Sequence, residues 1–298
     1  AKIDQSNNNF NEGGKYVVGS LDVKALYPSL DIATTAELIE QAVLETTMTF
    51  EGIDWRQGCI YLALTLSPDE RNQPEMRRMI PRRKSNRGPY PRITTAEVMG
   101  PLYDIKNSLF KQIPHDLTTE EKKVILAKVI RMAVETVMSN HTYTFNGEIK
   151  KQKEGGPIGL ALSGALARIV MLWWDKQFLE LCRTNNIHVP LYQRYVDDEN
   201  MKIEELPEGT RWDEETKEMV WRDRYIEEDK DIPGDARTLK EIRRMANTIT
   251  EMIQVEEDYP SRHEDEKLPI LDLKVWINNS DQSIAYEFYR KDIANWLL

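Results

Sequence analysis

The sequence predicts an α+β fold in which an antiparallel sheet is backed by helices, and three observations carry that reading. An apolar run, YVVGSL, ends at Asp22 as a buried strand ends when its next residue leaves the core. The stretch YQRYVDDENM sets two neighbouring aspartates between apolar residues, the pattern of two short strands joined by an acidic turn. Several longer stretches then carry apolar residues at helical spacing.

In chain order, residues 15–20 read as the first strand, closed by Asp22. Thr34–Met48 follows as a helix, with Ala36, Ile39, Val43 and Leu44 behind threonine caps. The segment 50–117 holds a short apolar stretch at Tyr61–Leu66, a basic Pro-rich loop at Pro68–Pro91 and a helical pattern at Thr94–Phe110. LTTEE, from Leu117, opens a further helix with a capping-box pattern, and its apolar face runs to Ser139. Tyr143–Phe145 and Glu148–Gln152 form a hairpin around Asn146-Gly147, a pair that accepts the positive φ angles of a tight turn. Gly155, Gly156 and Gly159 let backbone approach a flat or bulky ligand, against the plainer reading of a tight helix–helix contact. The small residues Ala161, Ser163, Gly164, Ala165 and Ala167 make the start of the next long helix slim. After the acidic hairpin, Trp212 and Trp221 flank EETKEM as a charged surface hairpin, and Arg237–Ile253 is a helix with Leu239, Ile242, Ala246, Ile249 and Ile253 on one face. Strands at Ile270–Ile277 and Ser283–Tyr289 close the order.

Composition narrows the chemistry. The 298 residues include two cysteines, Cys59 and Cys182, without metal-type spacing, which reads as reduced core thiols. Four histidines lie far apart, giving no support to a zinc site or a Ser-His-Asp triad. No apolar run approaches the roughly 18 residues of a membrane span, so no membrane partner is expected, and an intracellular location, nuclear or cytoplasmic, is. The chain begins at Ala1 rather than Met, which makes a fragment of a longer protein the expectation.

Charge is segregated. The net charge of −10 argues against a polyanionic partner, yet Arg71–Arg92 carries eight basic residues and one acidic. Within it Arg77, Arg78, Arg82, Arg83, Lys84 and Arg87 could fork onto phosphates, against the plainer reading of a solvated loop. Residues 199–235 hold fourteen acidic and six basic residues. Alone, Asp197-Asp198 reads as a solvated turn; adjacent carboxylates repel, however, and the pair also makes sense where a divalent cation neutralises them. A strand-end Asp22 joined to that pair can hold two metal ions for in-line nucleotidyl transfer.

This order, a strand ending in Asp, a glycine loop with a slim helix, an Asp-Asp hairpin, then helix and hairpin, resembles the palm of a reverse transcriptase. Asp22 in LDVKALYPSL is similar to the first carboxylate motif, QKEGGPIGLALSGAL to the loop and helix that border template and nucleotide, and YVDD to the catalytic hairpin. Within that superfamily FNGEIKKQKEGGPIGLALS and KLPILDLKVWINNSDQSIAYEFYRK resemble Penelope-like retroelements. The likeness covers about 16–48 and 119–291.

The resemblance implies an RNA-directed DNA polymerase adding dNTPs to a primer 3′-hydroxyl on an RNA or DNA template. Asp22, Asp197 and Asp198, with the Val23 carbonyl, would hold two Mg²⁺ ions, Mn²⁺ being an alternative. Tyr27 would exclude a ribose 2′-hydroxyl; Gln152, Gly155 and Gly156 would border the nucleotide; Leu271 and Trp276 would approach the primer end. The implied organisation is a first palm part at 1–50, a basic fingers-like insertion at 51–118, a second palm part at 119–276 with an acidic insert at about 204–235, and a final strand with the start of a thumb at 277–298. Fingers and thumb are incomplete. A domesticated palm that binds nucleic acid or a protein without catalysis is the alternative. A family B DNA polymerase, suggested by Leu26–Ser29, would need an Asp-Thr-Asp turn that Asp197-Asp198-Glu199 does not supply.

Overall fold

The computed structural model describes residues 14–46, 119–157 and 161–289. The basic residues Arg77, Arg78, Arg82, Arg83, Lys84 and Arg87, together with Gly159 and Cys59, lie outside them. The chain forms two compact units, residues 1–31 with 142–298, and residues 32–141.

The larger unit is built on a four-stranded antiparallel sheet. Its strands are β1 (Tyr16–Val23), β4 (Leu191–Tyr195), β5 (Asp198–Glu204) and β8 (Val255–Asp258), in the order β4-β5-β1-β8. A short helix, α1 (Leu26–Ser29), follows β1. The hairpin β2 (Thr142–Phe145) and β3 (Glu148–Lys151) turns at Asn146 and Gly147, with φ of 54° and 83°, as the Asn-Gly pair dictates. α4 (Ala161–Thr184) and α6 (Gly234–Asn247) are the long helices. Between them lie β6 (Thr210–Asp213), β7 (Glu218–Trp221) and the one-turn helix α5 (Ile226–Asp229). A second sheet combines β9 (Leu268–Ile270), β10 (Leu273–Asn278) and β11 (Ser283–Phe288).

The pleat sorts side chains between two faces. On one face Val17, Leu21, Val23, Met201, Ile203 and Val255 are buried. α4 covers this face at β4, where Trp174 and Phe178 stack at 5.3 Å and Phe178 meets Tyr192 at 5.6 Å. α6 covers it at β1, where a Cβ on Gly19 would lie 2.5 Å from the Leu239 side chain, so only glycine lets that helix so close. On the opposite face Val18 packs with Leu268, Val275 and Ile284, which seats the three-stranded sheet over one end. The other end of that face carries the acidic residues described below.

The smaller unit contains α2 (Ile32–Glu45) and α3 (Thr119–Ser139), which pack together. Arg131 joins them, donating to Glu40 at 2.8 Å and to Glu135 on its own helix at 3.0 Å.

Several expectations need correction. The first strand extends to Val23, so Asp22 lies inside it rather than after it. The helix expected over Arg237–Ile253 runs instead from Gly234 to Asn247. Asn247 exchanges two hydrogen bonds with the Val255 backbone, and the chain turns there to feed β8. The strand expected over Ile270–Ile277 is broken at Leu271, whose φ of +52° ends β9 and starts β10. The hairpin expected around EETKEM forms as β6 and β7, but Trp212 is 3% exposed, a core residue rather than a surface one, whereas Trp221 is exposed. Cys182 is a buried free thiol, as expected, and burial pushes its pKa up to about 12. Among the described residues no helix is long and apolar enough to cross a membrane.

Candidate active site

Leu21 and Val23 are buried against the helices, so alternation drives Asp22 to the opposite face. There it stands in register with Asp198 on β5 and with Glu256 on β8, forming one acidic row across three strands. Directly opposed residues in antiparallel strands have Cβ atoms about 4.5–5.5 Å apart, close enough for both carboxylates to reach one ion. Asp197 occupies the turn between β4 and β5; its carbonyl accepts the Val23 N–H at 3.2 Å, tying the turn to β1 beside Asp22.

The electrostatics agree with that proximity. Asp22 is held above the usual carboxylate range by partial loss of water, then by the charges of Asp198, Asp197 and Glu256. Glu256 is held below its ordinary value by its contact with Lys24 at 2.5 Å. Among the described residues, no three His, Cys, Asp or Glu side chains converge into a metal-holding group as their rotamers stand. The donors are all hard oxygens, the ligand type that Mg²⁺ and Mn²⁺ take, and the mutual repulsion that raises Asp22 is what a cation relieves. In residue type, though not in their present placement, these carboxylates suit such an ion.

The glycine loop docks beside α1. Gly156 donates its N–H to the Tyr27 carbonyl at 2.7 Å. Gly155 has φ +77°, and a Cβ there would lie 2.6 Å from the Pro28 carbonyl oxygen, so this approach requires glycine. Tyr27 is half-buried, and its hydroxyl lies 4.0 Å from where a Cβ on Gly164 would sit. Gln152 binds the loop itself, donating to the carbonyls of Glu154 and Gly155. Leu271 is exposed at the β9–β10 turn, and Trp276 on β10 carries Lys267 over its ring at 4.5 Å.

Three features escape the sequence reading. Glu256 lies on a strand whose residues, VEED, lack an apolar alternation. Glu199, next to Asp198, points the other way and is fully buried, and neither of its oxygens has a hydrogen-bond partner among the described residues. Burial first, then the Asp175 charge, pushes its pKa up to about 9. A signal existed: Glu199 shares its period-two face with apolar Met201 and Ile203. The third is Asp175 on α4, which accepts hydrogen bonds from Tyr192 at 2.7 Å and Arg194 at 3.0 Å. Comparisons with protein-family models, with curated proteins and with solved structures give no match for this chain.

Proposed function

We propose that this chain is a metal-dependent, template-directed polymerase of the reverse-transcriptase type, with the four-stranded sheet as its palm. The observation that supports the reading best is Asp22 opposite Asp198 on adjacent strands, with Asp197 in the joining turn, on the face the two helices leave open. The resemblance of the chain's motifs to those of Penelope-like reverse transcriptases supports the same reading.

In this reading Asp22, Asp197 and Asp198 hold Mg²⁺, with the Val23 carbonyl as a further ligand. An ion held by these carboxylates would supply Lewis-acid activation of a primer 3′-hydroxyl and charge neutralisation at the leaving pyrophosphate. The protein's own contribution is placement. The β1–β5 register brings two carboxylates to one point, and the Val23 N–H fixes the third beside them. Tyr27 and the Gly155-Gly156 backbone form the floor against which a deoxynucleotide lies, the tyrosine ring excluding a 2′-hydroxyl. Leu271 with Trp276 borders the primer end.

Primer extension on an RNA template with dNTPs and Mg²⁺ tests the assignment. Asp197→Asn is expected to abolish extension while leaving thermal unfolding intact, and extension that survives the substitution would sink the assignment. A folded wild-type chain that neither extends a primer nor binds Mn²⁺ would instead be the domesticated, non-catalytic palm.

A further inference from the structure

Behind the acidic row, on the helix-covered face, lies a polar cluster that the proposed chemistry does not use. Arg194 is the second-last residue of β4, with its side chain 12% exposed. Its Nε donates to both carboxylate oxygens of Asp175 on α4, at 3.1 and 3.0 Å. Its Nη1 donates to the Val196 carbonyl at 2.9 Å. Tyr192 completes the anchorage by donating its hydroxyl to Asp175 at 2.7 Å.

Val196 is the residue that makes this arrangement informative. It has φ +60°, a left-handed conformation that a β-branched side chain adopts at a cost, and it begins the turn that carries Asp197. The surroundings must therefore hold it. The peptide group before Asp197 is held through the Val196 carbonyl by Arg194, and the peptide group after it through the Asp197 carbonyl by the Val23 N–H. Asp197 is clamped on both sides, by one bond from Arg194 on β4, itself bound to Asp175 on α4, and one from strand β1.

We propose that Arg194, braced by Asp175, is a positioning residue that holds the Val196-Asp197 turn in its left-handed form and thereby sets the Asp197 carboxylate against Asp22. A guanidinium can serve Asp175 and the Val196 carbonyl together because its donors are fixed in a planar fork; a lysine ammonium keeps the charge but cannot span both acceptors in that geometry. The consequence for catalysis rests on the polymerase reading, whereas the consequence for the turn does not.

The test compares the full chain with Arg194→Lys, Arg194→Met and Asp175→Asn by residue-resolved amide hydrogen exchange, thermal unfolding, Mn²⁺ calorimetry and primer extension. Arg194→Lys is expected to unfold near the wild-type temperature, while exchange of the Val23 amide quickens about tenfold, as for one lost hydrogen bond to a charged group. Mn²⁺ affinity and kcat are expected to fall together, with KM for dNTP little changed. Tyr192→Phe, which spares all three Arg194 bonds, is expected to leave Val23 exchange within about twofold of wild type. If Arg194→Met proves unstable, Asp175→Asn and Arg194→Lys carry the comparison. Val23 exchange that stays at the wild-type rate in folded Arg194→Lys would overturn the proposal, as would exchange that rises uniformly over the whole sheet. Faster Val23 exchange in a protein that extends no primer would uphold the positioning role and discard the polymerase reading.

Discussion

Asp22 on β1 and Asp198 on β5 stand directly opposite one another in antiparallel register, both on the face of the sheet that the two long helices leave open. Like charges so placed destabilise the fold. Asp22→Asn is expected to raise the unfolding temperature in the presence of a chelator, because it removes the charge that Asp198, Asp197 and Glu256 repel. Adding Mn²⁺ should then raise the unfolding temperature of the wild type more than that of the variant. Differential scanning fluorimetry with and without metal reads both effects, and a variant less stable than wild type in chelator would contradict the repulsion.

Glu199 links stability to pH. Its ordinary value is 4.5, and burial lifts it to about 9 in the folded protein. Between those values the native state keeps a proton that the unfolded chain releases, so stability falls as pH rises through that window, by up to about 1.4 kcal/mol per pH unit. Glu199→Gln removes the ionisable group and should flatten the dependence, with its advantage over wild type larger at pH 9 than at pH 6. Urea unfolding at the two values checks this; parallel losses in both proteins would show that Glu199 is ionised in the fold.

The glycine loop gives a steric prediction. Gly155→Ala must place a methyl group against the Pro28 backbone at a φ of +77°. The expected loss is about 1–3 kcal/mol from backbone strain and overpacking together. If the loop borders the nucleotide, KM for dNTP rises as well, which steady-state extension assays would report.

The acidic segment after β5 is a packed structure rather than a solvated run. Asp229 is 1% exposed and accepts two bonds from Arg211, at 2.8 and 2.9 Å, and one from the Gly209 N–H at 2.7 Å. Burial raises its pKa, but these bonds prevail and hold it below the ordinary value of 3.8. Asp229→Ala leaves Arg211 without its best partner and should cost about 3–5 kcal/mol in urea unfolding. The contribution of the wild-type pair is present above about pH 3.8 and is lost as pH falls through the lower, folded value.

Legibility in the sequence followed the range of the interactions. The β2–β3 hairpin could be read from Asn146-Gly147, because two residues set the turn. β1, α3 and the slim start of α4 could be read from their apolar patterns. β8 could not: Val255–Asp258 becomes a strand because β1 offers it an edge and Asn247 anchors Val255 by two hydrogen bonds. The burial of Trp212 was equally hidden, since its backbone N–H is held by Glu241 on α6, 29 residues away in the chain.

By itself, then, the sequence determined the mixed α+β class and most element positions, and it offered the three aspartates as candidates, because period-two and period-3.6 patterns and turn residues act over a few residues. Tertiary structure alone decided that Glu256 joins the acidic row, that Glu199 is buried while Asp198 beside it is not, and that Arg194 reaches both Asp175 and Val196. Those outcomes depend on strand register and on which helix covers which face, and both are set by contacts between segments far apart in the chain.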